Sequence, residues 1–118
     1  VAVIQSDLGY LVSRGKQGRV MADLYEFPYF DIPEGCFSPT QLQRDIEETY
    51  GLKVVQQRIL PEERHNFTRY KVRLYPVLFE SKHPQPIEGL EWLSADALKQ
   101  LAFSSGHLRI WNRLTLET

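Results

Sequence analysis

Between Arg64 and Arg73 the sequence crowds together residues able to engage a polyanion or an aromatic base: Arg64, His65, Asn66, Phe67, Thr68, Arg69, Lys71 and Arg73. An aromatic tip such as Phe67 can wedge between base steps or stack on a base. The Thr68 hydroxyl can donate or accept one hydrogen bond to a base edge. The Arg69 guanidinium is a planar, permanently charged fork suited to a phosphate or a guanine edge. The same residues also suit a plainer role, with Phe67 packed under a hairpin and the cations on a solvated strand face. Residue type alone leaves both open. A smaller basic group, Arg14, Lys16 and Arg19, spans a glycine-containing stretch where it can contact backbone phosphates or simply face solvent. A third group joins Arg44, Asp45, Glu47 and Glu48. On a helix Arg44 and Glu48 stand at i, i+4 and can pair, while Asp45 and Glu48 stand at i, i+3. That leaves at most a thin carboxylate cluster. His65, His83 and His107 are far apart in sequence, and no metal site is expected. Cys36 is the sole cysteine; it excludes an internal disulfide and argues against a cysteine-based zinc site. Its expected role is that of a small buried hydrophobe in a reduced, intracellular setting.

The elements that must position these groups follow from spacing and turn chemistry. Val1–Gln5 and Tyr10–Arg14 read as strands of a hairpin around Ser6-Asp7-Leu8-Gly9. Leu24–Pro28 alternates and reads as a strand closed by its proline. Ser38 is a helix N-cap, Pro39 fits the first helical position and Gln41 completes a capping box. Leu42, Ile46 and Tyr50 recur at spacing four before Gly51, a ready stop, so the spacing predicts a helix over Pro39–Tyr50. Val54–Ile59 reads as a strand, Pro61–Asn66 as a charged connection, and Tyr70–Phe79 as one long alternating strand with Pro76 at an edge or bulge. Ser81–Gly89 is a loop, Leu90–Leu93 a short strand, and Ser94 caps a short helix from Ala95 to about Leu101. A last helix from Gly106 to Leu114 is expected to bury Leu108, Trp111 and Leu114. The order predicts a single α+β domain over 1–118 with a mixed sheet flanked by helices.

Composition narrows the function classes. The chain has 118 residues, enough for one core, with 42% hydrophobic and 25% charged residues, an ordinary globular balance. No apolar run approaches the roughly 18 residues of a membrane helix, and no signal-peptide pattern opens the chain. The net charge is −1, whereas autonomous DNA-binding domains are normally basic. Strong independent DNA binding is therefore not expected; a local contact made while another domain holds the duplex is compatible. Val1 opens directly on strand-like residues without an initiator methionine, as expected of a domain cut from a longer chain.

The segment from Gly35 to Leu52 resembles a damaged Nudix box, which in working form reads G-x5-E-x7-R-E-U-x-E-E-x-G-U with U aliphatic. Here Arg44-Asp45-Ile46-Glu47-Glu48-Thr49-Tyr50-Gly51-Leu52 keeps the arginine, the aliphatic residue, the first of the paired glutamates and the closing glycine. Thr49 replaces the second glutamate, Cys36 the first box glutamate and Phe30 the opening glycine. Box chemistry needs carboxylates on one helix face to hold Mg²⁺ against a diphosphate, so the resemblance implies the fold with a degenerate site. Leu24-Tyr25-Glu26-Phe27-Pro28 is similar to a Leu-Trp-Glu-Phe-Pro motif of MutY C-terminal domains. His65-Asn66-Phe67-Thr68-Arg69 is similar to the Phe-Ser-His loop that MutY proteins set against 8-oxoguanine, with Arg69 in place of the histidine. Glu91-Trp92-Leu93 and the helix after it resemble the end of the same family.

That resemblance implies a Nudix-like C-terminal recognition domain of a MutY-type adenine DNA glycosylase, with no catalytic residues of its own. Its partners would be duplex DNA carrying 8-oxoguanine opposite adenine and the glycosylase domain of the parent chain. The catalytic Asp and the 4Fe-4S cluster would lie in that absent N-terminal part, leaving no cofactor here. Phe67, Thr68, Arg69, His65 and Arg64 would read the lesion, and Arg14, Lys16, Arg19 and Lys71 would contact phosphates. A cytoplasmic, nucleoid-associated location in a bacterium would follow. Two alternatives remain: a Mg²⁺-dependent Nudix pyrophosphohydrolase resting on Glu47 and Glu48 with help from Asp45, or a Nudix-like protein-interaction module using residues 64–69.

Overall fold

The computed structural model describes residues 1–14, 25–33, 35–66, 71–101, 103 and 105–116. Alternating apolar residues form β1 (Ala2–Ser6) and β2 (Gly9–Arg14), an antiparallel hairpin closed through Ser6 and Gly9. Gly9 takes φ 115°, and a Cβ there would collide with the carbonyl of Leu93, so this turn admits no side chain. β3 (Tyr25–Glu26) pairs with the end of β2. Next comes α1 (Pro39–Tyr50), with the predicted bounds and caps. Ser38 Oγ accepts from the Gln41 amide at 3.3 Å, and Gly51 turns left-handed at φ 67°. Half of the expected capping box forms: the Gln41 side chain runs down the helix and donates to Asp45 Oδ1 at 3.0 Å.

β4 (Val55–Ile59), β5 (Glu63–Asn66), β6 (Lys71–Leu74), β7 (Val77–Glu80), β8 (Glu91–Leu93), α2 (Ala95–Leu98) and α3 (Ser105–Leu116) follow. The main sheet runs β3-β2-β1-β7-β4, with β8 also on β2; β1 and β7 are parallel and the other pairs antiparallel. The mixed sheet is thus as expected, but two readings around it need correction. The charged connection at 61–66 contains β5, and the single strand at 70–79 is two strands in different sheets. β6 pairs with β5, while β7 lies between β1 and β4. Pro76 has no N–H to donate, so the ladder breaks there. Period-two alternation continues through such a break, which hides the change of sheet from sequence.

The sheet is covered on both faces. Along β1, Val1 and Val3 face Ile110, Trp111 and Leu114 of α3, while Ala2 and Ile4 face Leu42 and Ile46 of α1. Each fully buried side chain of this size contributes roughly 1.5–3 kcal/mol. The buried stripe of α3 is His107, Ile110, Trp111 and Leu114, at i, i+3, i+4 and i+7; Leu108, expected inside, is 40% exposed. Cys36, expected inside, is also exposed; it lies in the turn before α1, where its amide donates to the Pro33 carbonyl. Among the described residues, no helix is long and apolar enough to cross a membrane.

Candidate functional site

Helix α1 is anchored well beyond its own caps. Leu42 and Ile46 are buried against the sheet, Gln43 Nε2 donates to the Val54 carbonyl at 2.9 Å, and Gln85 Nε2 donates to the Gly51 carbonyl at 2.9 Å. Phe37, just before the N-cap, stacks on Tyr75 with centroids 4.8 Å apart. The outward face holds little chemistry. Asp45, Glu48 and Thr49 share one side, and Glu47 lies about 100° of helix rotation from Glu48. Asp45 is engaged by Gln41, and among the described residues no ion pair joins Arg44 to Glu48, contrary to the expected pairing. Among the described residues no group of three or more His, Cys, Asp and Glu side chains converges as a metal site.

The other candidate group sits on the β5–β6 hairpin. Its register pairs Arg64 with Arg73, His65 with Val72 and Asn66 with Lys71, which leaves 67–70 as the connecting segment. Glu62 Oε1 lies 3.7 Å from both Arg64 Nε and Arg73 Nε. These exposed pairs contribute little stability, but one carboxylate partly offsets two cations of the Arg64–Arg73 group. Phe67, Thr68, Arg69, Lys16 and Arg19 lie outside the described residues. For His65, Lys71 and Arg14 the backbone alone is placed, in β5, β6 and at the end of β2 opposite Tyr25. The hairpin thus gathers Arg64, His65, Lys71 and Arg73, while the degenerate helix residues belong to α1 on the far side of the sheet from α3.

Three contacts were not legible in the sequence. Arg113 Nε donates to Glu63 Oε1 at 2.8 Å, and Arg109 Nη1 donates to the Arg64 carbonyl at 2.8 Å, joining α3 to the hairpin. The third is His107, whose Nδ1 accepts from the buried Phe27 amide at 3.0 Å. Its Nε2 lies 3.8 Å from Glu26 Oε2, and its ring contacts Phe27 and Tyr29. Glu26 would favour the charged imidazole, but that separation is beyond hydrogen-bond range and the ring is buried. Desolvation wins, holding the imidazole neutral with its pKa lowered to about 3. No local signal marks these pairs, because their members lie 45 to 80 residues apart.

Over residues 1–113 the sequence matches the family described as NUDIX domain. Compared by sequence with curated proteins, the chain has no match. Among solved structures, the MutT protein of methicillin-resistant Staphylococcus aureus 252, described as a Nudix hydrolase, superposes with TM-score 0.76 at 21% identity, covering 99% of this chain and 93% of that one. The Escherichia coli ORF135 protein superposes with TM-score 0.73 at 15% identity, covering 98% and 85%. The C-terminal domain of mouse MUTYH, in complex with human PCNA, superposes with TM-score 0.67 at 17% identity, also covering 98% and 85%. At these identities the likeness speaks for the fold.

Proposed function

The chain belongs to the NUDIX domain family, and on that premise we propose that it recognises 8-oxoguanine opposite adenine in DNA. In this reading it is the C-terminal part of a MutY-type adenine glycosylase and assists adenine excision by the catalytic domain of that chain. The observation that carries the reading is the split between α1 and the hairpin. α1 keeps the form of a Nudix helix, but Thr49 on it and Cys36 in the turn before it stand where a hydrolase needs carboxylates, whereas Arg64, His65, Lys71 and Arg73 are gathered on the β5–β6 hairpin, with Phe67, Thr68 and Arg69 between its strands in sequence.

Chemistry on a base requires flipping it from the stack while the opposite strand is held and checked. Phe67 wedges beside the lesion, and Thr68 reads one edge atom. 8-Oxoguanine differs from guanine by an N7 donor and an O8 acceptor, so one hydroxyl can tell them apart. Such a bond contributes about 1 kcal/mol net, or about fivefold in affinity. Arg64, His65 and Arg69 join Phe67 and Thr68 at the lesion, Lys71, Arg14, Lys16 and Arg19 supply phosphate contacts, and the −1 net charge keeps the domain dependent on the catalytic part for overall affinity. A second reading, a protein-interaction module, draws support from the complex of the mouse MUTYH domain with human PCNA.

Fluorescence anisotropy at low salt tests the first reading, with a duplex carrying 8-oxoguanine opposite a non-cleavable adenine analogue and an undamaged control. The lesion duplex is expected to bind more tightly, Thr68→Ala to lower that preference by about fivefold, and Phe67→Ala to weaken both. Equal binding of both duplexes, together with Mg²⁺-dependent nucleotide hydrolysis lost in Glu48→Gln, would instead establish the hydrolase.

A further inference from the structure

Along the β5–β6 ladder Glu63 pairs with Leu74, and Arg64 with Arg73. The first pair faces α3: Glu63 is buried with its Oε1 accepting the 2.8 Å bond from Arg113 Nε, and Leu74 packs against the core cluster that α3 closes. Successive residues of a strand point to opposite faces, so Arg64 and Arg73 stand side by side on the other face. Their backbone is firmly held. The hairpin runs on from the β4–β7 pair through Ile59–Val77, the 3.0 Å bond from the Leu60 amide to the Pro76 carbonyl, and Glu63–Leu74. Like charges directly opposite each other across a ladder repel. Among the described residues, the acid paired with both guanidinium groups is Glu62, whose Oε1 lies 3.7 Å from each Nε, beyond hydrogen-bond reach. The Arg64 and Arg73 side chains remain 72% and 54% exposed. Two adjacent cationic forks thus share one loosely held carboxylate. A phosphodiester fits the pair better, because each of its two non-bridging oxygens can accept from one fork.

We propose that Arg64 and Arg73 together clamp one backbone phosphate of duplex DNA, and that Glu62 is a built-in competitor which the phosphate displaces. The proposal rests on the reading of this chain as a DNA-recognition domain and adds Arg73 and Glu62 to its interface. Exposed ion pairs are weak, so the exchange of carboxylate for phosphate is readily made. Because every duplex offers phosphates, the competitor lowers affinity for all of them alike and leaves selection to the contacts with the lesion.

The test is fluorescence anisotropy over a salt series, with the 8-oxoguanine duplex and its undamaged control. It compares wild type with Glu62→Gln, with Arg64→Gln/Arg73→Gln and with all three changes combined. Glu88→Gln, at an exposed acid in the loop before β8, makes the same change in net charge and serves as the control. Glu62→Gln is expected to bind both duplexes about fivefold more tightly at low salt, and Glu88→Gln to bind them much as wild type does. Loss of both arginines should make the slope of log affinity against log salt shallower by about 0.9, one phosphate contact. The gain from Glu62→Gln should vanish when the arginines are absent, since it acts through them. Melting temperatures should hold throughout, because these side chains are exposed. A Glu62→Gln gain no larger than that of Glu88→Gln, a gain that survives without the arginines, or an unchanged salt slope would each overturn the clamp. If both duplexes bind equally but these effects remain, the lesion reading falls and the clamp stands. If neither duplex binds wild type or Glu62→Gln, both fall.

Discussion

Helix α1 and the β5–β6 hairpin are built by opposite means. α1 carries its own instructions: Ser38 and Gly51 set its ends, and Leu42 and Ile46 set the face it buries. The hairpin has sparse local encoding, since Glu63-Arg64-His65-Asn66 is polar throughout; it runs on from the β4–β7 pair and is joined to α3 by Arg109 and Arg113, about 45 residues away. Yet the well-encoded element has Thr49 where the box has a second glutamate, and the weakly encoded one gathers the cationic residues Arg64, Lys71 and Arg73. A helix that packs on the core folds without needing its carboxylates, because burial depends on Leu42 and Ile46 and not on Glu48. Binding elements, in contrast, gain from sitting outside the main sheet, where they can change without disturbing the core.

Four changes of decreasing size probe this contrast. Ile46→Ala, at a fully buried position, should cost about 3 kcal/mol and lower protection in every strand, read as a shift of the denaturation midpoint. Acidification acts on the other face through His107. Its folded pKa is lowered to about 3, so the unfolded chain takes up a proton below about 6.5 that the folded chain refuses. Stability is full above pH 6.5 and falls by about 1.4 kcal/mol per pH unit below it, reaching a loss of about 2 kcal/mol at pH 5. His107→Gln, whose carbonyl can still accept from the Phe27 amide, should flatten this dependence in urea melts run across pH. Ser38→Ala removes the cap bond to the Gln41 amide and should cost about 1 kcal/mol, visible in the denaturation midpoint. Glu48→Gln is smallest: at this exposed position stability should change by less than about 0.5 kcal/mol.

Legibility followed the same division. The β1–β2 hairpin, α1 and the caps at Ser38 and Ser94 could be read locally, because each is specified by residues within a few positions of one another. The family resemblance added the degeneracy of α1. The hairpin was missed because Glu63–Asn66 has no β-branched alternation and because Lys71–Leu74 runs in phase with Val77–Glu80 across Pro76. Leu108 was misplaced because its spacing to Trp111 and Leu114 fits a helix stripe nearly as well as that of Ile110. The roles of Glu63, Arg109, Arg113 and His107 depend on tertiary contacts, and no spacing rule announces them.

The most direct measurement is a backbone amide NMR titration of the chain with two ligands in parallel. One is a duplex carrying 8-oxoguanine opposite a non-cleavable adenine analogue, set against its undamaged control. The other is Mg²⁺ with a non-hydrolysable nucleotide. The recognition account predicts shifts centred on Arg64–Tyr70, larger for the lesion duplex. Shifts centred on Asp45–Glu48 with Mg²⁺ and nucleotide, and none with DNA, would contradict it and return the chemistry to α1.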